Sequence, residues 1–144
     1  MRGHAVRGTT RDASRLAEIE AAGAQAVLGD PDRVATIVDA FEHVTVACIL
    51  LGSATGSDEE LAALHSERLE MVLWRMVDTT IHGVVYEGRG TVSEELLRGG
   101  AERVRSFAED SRATFASLDR DPGDHEGWVT AALDAVERVL ESRA

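Results

Sequence analysis

At 144 residues and 44% hydrophobic content, the chain is long enough for one domain with one ordinary core, so wholesale disorder is excluded. All 15 basic residues are arginine; with no lysine, Schiff-base chemistry and a Walker-type phosphate lysine are excluded too. A net charge of −11 argues against nucleic acid and acidic membrane surfaces as partners, because both need a basic footprint.

The apolar periodicity alternates between strand and helix along the chain. Residues 5–10 (AVRGTT) read as a short strand, and Asp12 as the cap of a helix over 13–22 with Leu16 and Ile19 inward. Gly23 suits the left-handed residue that ends such a helix. Residues 25–28 form the next strand. Asp30-Pro31 reads as a capping carboxylate followed by proline in a first helical turn, which predicts a helix to about Phe41.

Residues 44–51 (VTVACILL) are then almost uninterruptedly apolar, as expected of a central parallel strand covered on both faces. A loop follows at 52–56 (GSATG), then a long helix from Asp58 to about Asp78, and a fourth strand over 81–86. Ser93 caps a helix with Glu94 and Glu95 in its first turn, where they favour the positive end. A fifth strand covers 114–118. Asp121-Pro122 repeats the cap-and-proline signal before a last helix carrying Trp128, Leu133, Val136 and Leu140.

Strands alternating with helices predict a three-layer α/β, Rossmann-like fold with a mainly parallel sheet of about five strands, in a single domain over 1–144. Cys48 is the one cysteine, so no internal disulfide forms, and an intracellular, cytoplasmic setting is expected. Within its apolar strand Cys48 reads as a buried core thiol.

The segment Arg2-Gly-His-Ala-Val-Arg-Gly-Thr-Thr-Arg-Asp resembles the second strand of NAD(P)-binding Rossmann-fold proteins of the atypical short-chain dehydrogenase and NAD-dependent epimerase type. The stretch Leu-Ala-Glu-Ile-Glu-Ala-Ala-Gly-Ala-Gln-Ala-Val-Leu-Gly-Asp, ending in Gly29-Asp30, and the apolar strand ending in Leu50-Leu51-Gly52-Ser53 also look like that family. The resemblance spans the chain as topology, with its most specific motifs over 2–52. It implies a domain that begins after the family's first strand and its Gly-x-x-Gly-x-x-Gly turn, so that the domain is N-terminally incomplete. In the usual order 3-2-1-4-5-6 that strand is central. Either its neighbours pair directly, or another chain fills the slot, or the start has been placed too late; the last is the expectation.

The resemblance implies cofactor contacts at Thr10, Arg11, Asp30, Gly52 and Ser53. Arg11 would meet the 2′-phosphate of NADP, with Thr10 as a donor, because guanidinium matches phosphate geometry. The plainer reading is a solvated arginine. Asp30 would face adenine, or merely cap a helix. Gly52 and Ser53 end the central strand, where open α/β sheets place ligands, or form an ordinary turn. Without the glycine-rich turn, NADP binding is expected to be weak.

No catalytic residue carries over, since the family's Tyr-x-x-x-Lys pair is absent and Tyr86 is the one tyrosine. The five histidines, at 4, 43, 65, 82 and 125, lack metal-ligand spacing. The acidic run Asp119, Asp121, Asp124 and Glu126 beside His125 reads as capping and a solvated turn, and no metal site is expected. The function expected is that of an NAD(P)-binding Rossmann-like domain, inactive alone. The alternative is a non-catalytic assembly module that pairs through its sheet edge. A homo-oligomer is expected in either case.

Overall fold

The computed structural model describes residues 3–142. Five strands and five α-helices follow one another in α/β alternation: β1 (Arg7–Thr10), α1 (Leu16–Ala21), β2 (Gln25–Leu28), β3 (Val46–Ile49), α2 (Asp58–Leu64), α3 (Glu67–Met76), β4 (Gly83–Glu87), α4 (Glu94–Ser111), β5 (Thr114–Leu118) and α5 (His125–Glu141). Every strand pairing is parallel.

The strands do not form one sheet. β1 pairs with β2 in register Arg7 to Gln25, and a separate sheet runs in the order β3-β4-β5. The break falls between β1 and β3, the two strands that the resemblance sets on either side of the family's first strand. Direct pairing of these neighbours, one of the alternatives above, is not what the chain adopts.

The core sits on the three-stranded sheet. All five residues of β4 are buried, and they alternate between faces. Val84 and Tyr86 pack with Ile49, Leu69, Leu73, Met76 and Val104, under α3 and α4. Val85 packs with Leu118, Ala135 and Val139, under α5. The apolar run 44–51 thus becomes an edge strand, not a central one. Cys48 is consequently exposed instead of buried, although the surrounding protein still pushes its thiol up to about 11 by desolvation.

Several local expectations hold. Gly23 is left-handed at φ 93°, and Ser93 accepts from the Leu96 N–H. Asp12 accepts from the Ser14 N–H, but it caps a 3-10 turn, Ala13–Arg15, and the α-helix expected over 13–22 is confined to Leu16–Ala21. Others do not. Instead of one helix after Asp30-Pro31, the chain makes two short 3-10 turns, Val34–Thr36 and Val38–Phe41. Thr36 is the reason: its hydroxyl accepts from the Asp30 N–H at 2.8 Å and lies 2.7 Å from the Arg33 carbonyl, tying the segment into a compact turn. The long helix expected from Asp58 is divided into α2 and α3 at His65 and Ser66, and its cap is Ser57, in a reciprocal capping box with Glu60. The last helix is capped by Asp124, not Asp121, with the Asp124 carboxylate also held by Arg120 at 2.6 Å.

Candidate functional site

The C-terminal ends of β1, β2 and β3 carry the residues singled out above. Thr10 closes β1, and its hydroxyl accepts from the Asp12 N–H at 3.1 Å. Arg11 follows it. Its Nη2 reaches the Thr55 carbonyl at 3.4 Å, and its Nη1 lies 4.0 Å from Asp32. Half of the Arg11 side chain remains exposed, so it is open to a ligand. Asp30 turns its Oδ1 onto the N–H of Asp32 at 2.9 Å, which makes it the closure of its own turn.

Gly52 and Ser53 are engaged by the loop that follows β4. The Gly52 N–H donates to Glu87 Oε1 at 2.8 Å, and its carbonyl accepts from the Val92 N–H at 3.0 Å. The Ser53 hydroxyl accepts from the Thr91 N–H at 3.3 Å. A Cβ on Gly52 would stand 2.6 Å from the Arg89 carbonyl oxygen, so the two loops are in backbone contact. The structure therefore brings Gly52 and Ser53 together with the β4 loop, while Thr10, Arg11 and Asp30 lie at the ends of β1 and β2.

Two features were not foreseen. Glu87, the last residue of β4, is 4% exposed and accepts from two neutral donors, the Gly52 N–H and Trp128 Nε1–H at 2.8 Å each. A carboxylate at the end of an otherwise apolar strand is the signal in IHGVVYEGRG. Its partners lie 35 and 41 residues away, on elements that spacing cannot connect.

The second is a buried His65–Tyr86 pair. His65 Nδ1 stands 2.6 Å from the Tyr86 hydroxyl, and Nε2 stands 3.0 Å from the Leu51 carbonyl. A carbonyl only accepts, so Nε2 carries the proton and Nδ1 accepts from the phenol. Burial lowers the imidazole pKa, opposed by the Leu51 hydrogen bond. Burial also raises the Tyr86 pKa far above its usual value, so the phenol stays protonated. Tyr86 is wholly enclosed and His65 nearly so, which sets the pair within the core. Among the described residues no group of three or more His, Cys, Asp or Glu side chains is placed to hold a metal ion. Nor is any helix there long and apolar enough to cross a membrane.

No family model matches the chain, and no curated protein matches it. Solved structures do. Two of them are of triphenylmethane reductase from Citrobacter sp., one complexed with NADP(H), each with a TM-score of 0.60. What is shared is the fold. Identity is 12% and 15%, and the match covers 79% of this chain but 39% of the reductase chain. The chain thus spans well under half the length of these structures, and it has an α/β, Rossmann-like fold.

Proposed function

We propose that the chain is a Rossmann-like domain that receives NADP at the C-terminal ends of β1, β2 and β3. The observation that carries this reading is the break between β1 and β3. Sheets of this order take their dinucleotide beside the central strand. Here Thr10 and Arg11 follow from the end of β1 and Gly52 and Ser53 from the end of β3, the two strands that are not paired, which supports the reading. The reductase that shares the fold and was crystallised with NADP(H) supports the choice of cofactor. A strand inserted in the gap, followed by a glycine-rich turn, would complete the sheet and supply the backbone N–H groups for the pyrophosphate.

For residues 1–144 taken alone, affinity falls in the high micromolar range or weaker, roughly 5 kcal/mol in total. The chain alone does not catalyse hydride transfer, because the nicotinamide needs a fixed pyrophosphate to hold it against a substrate. The test is calorimetric titration of NADP and NAD into the wild-type chain and Arg11→Ala. NADP should bind more tightly, and the substitution should remove the preference. Equal binding of both cofactors, or an unchanged preference in Arg11→Ala, refutes the assignment of Arg11.

A second reading is favoured by the same break. β1 and β3 each have one edge without a strand partner, and such edges template pairing between chains. In this reading the chain is an assembly module that forms homo-oligomers through the gap. Light scattering that finds only monomer at high concentration refutes it.

A further inference from the structure

Arg11 belongs to a charge arrangement that it alone does not explain. Asp32, in the turn after β2, is approached by two guanidinium groups from different parts of the fold. Its Oδ2 lies 4.0 Å from Arg11 Nη1, after β1, and its Oδ1 lies 3.5 Å from Nε of Arg68, in the first turn of α3. α3 packs on the three-stranded sheet, so Asp32 stands between cations carried by both parts of the fold.

Both contacts are long for charge-assisted hydrogen bonds, which run at about 2.7–2.9 Å. Arg68 Nε is screened from solvent and has no hydrogen-bond partner. Arg68 Nη1 reaches only the Met71 sulfur, at 3.9 Å. Arg11 is little better served, with the Thr55 carbonyl at 3.4 Å. Two planar donor groups therefore converge on one carboxylate with most of their hydrogen-bonding capacity unspent. The side chains of Arg11, Asp32 and Arg68 are 51%, 41% and 41% exposed, so an anion from solvent has access.

The surroundings keep the arrangement in place. Asp30 fixes the backbone of Asp32, and the Arg33 N–H donates to the Asp30 carbonyl at 2.8 Å. Glu60 is the other acid near Arg11. Its hydrogen bonds to Ser57 hold its carboxyl below the usual range, with Arg11 adding a smaller effect, and its Oε1 is taken by the Ser57 N–H. Asp32 is thus the anion that both arginines share.

We propose that Arg68 and Arg11 together form a phosphomonoester site, and that Asp32 is the internal anion such a phosphate displaces. On the reading given under Proposed function, on which this rests, the phosphate is the 2′-phosphate of NADP. A phosphomonoester brings about two negative charges and three acceptor oxygens, against one charge and two oxygens for Asp32. It satisfies both forks at once. A ribose without the phosphate leaves Asp32 in place, and the arginines then contribute nothing to its binding. Arg68 and Asp32 set the selectivity, although neither is a sequence neighbour of Arg11.

The test uses three probes by calorimetry: NADP, NAD, which carries no phosphomonoester, and inorganic phosphate. The wild-type chain should bind NADP at least tenfold more tightly than NAD. Arg68→Gln should lower that ratio by weakening NADP, and Asp32→Asn should enlarge it. All three side chains are partly exposed, and unchanged far-ultraviolet dichroism establishes that the variants fold. If the ratio survives in Arg68→Gln, the inference is overturned while NADP binding through Arg11 stands. Phosphate binding as tightly as NADP overturns the assignment to a nucleotide. If neither nucleotide binds the wild-type chain, the dinucleotide reading falls and takes this inference with it.

Discussion

The Tyr86 hydroxyl donates to His65 Nδ1 at 2.6 Å inside the core, joining the middle strand of the three-stranded sheet to the junction between α2 and α3. Because burial depresses the imidazole pKa below 6.5, the folded chain resists protonation that the unfolded chain accepts. The unfolded state then binds more protons as pH falls, so this stabilisation is full above about pH 6.5 and is lost below it. Denaturant midpoints at pH 7.5 and 5.5 should fall further in the wild type than in His65→Gln, which cannot titrate there. Equal acid-induced losses in the two proteins would remove His65 from the account. Tyr86→Phe should cost about 1–3 kcal/mol by leaving a buried acceptor unmet.

Glu87 accepts hydrogen bonds at both carboxylate oxygens, so an amide in its place must turn its NH2 group towards another donor. Glu87→Gln should therefore destabilise by about 1–3 kcal/mol, despite its nearly identical shape. Urea denaturation measures this. A loss within error of zero would mean that Trp128 and Gly52 find other partners.

Gly100 lies inside α4, where alanine usually gains about 0.5–1 kcal/mol over glycine. Here the added Cβ would land on the Tyr86 hydroxyl. Gly100→Ala should instead destabilise, by about 1–3 kcal/mol. Its effect should shrink in a Tyr86→Phe background, which removes the atom it strikes. A double-mutant cycle with no coupling would show that the helix simply shifts away.

Cys48 should react with iodoacetamide in the native protein, since it is exposed on the edge strand. Its rate should climb about tenfold per pH unit well past pH 9, because the thiol is pushed up to about 11 and only the thiolate attacks. Modification seen only in denaturant would contradict the exposed position, and a plateau near pH 9 would contradict the raised value.

Elements governed by local chemistry were legible in the sequence. The strands Gln25–Leu28 and Thr114–Leu118 lie where their apolar runs place them, and the caps at Asp12 and Ser93 act as their side chains suggest. What escaped depends on distant partners. Thr36 captures the Asp30 backbone and replaces an expected helix with tight turns. The helix divides where His65 is held by Leu51 and Tyr86, 14 and 21 residues away. The run 44–51 has the composition of a central strand but stands at an edge, because composition reports what a strand is suited to, not whether its neighbour is present. At the candidate site, Arg11 was visible through its neighbours in sequence. Arg68 was not, since only the folded chain brings it to Asp32.

The division of the sheet also separates the chain into parts of unequal persistence. Every buried hydrophobic side chain among the described residues lies at Ile37 or beyond, and β4 is buried throughout. The β1–α1–β2 segment contributes none, and so has little to hold its amides closed. Opening free energies follow buried apolar contact. Amide hydrogens of residues 7–28 should thus exchange with solvent deuterium orders of magnitude sooner than those of Gly83–Glu87, and a protease at low concentration should trim the chain from its N-terminal side first. The half that carries Arg11 is the half that breathes, and a phosphate seated between Arg11 and Arg68 would slow it.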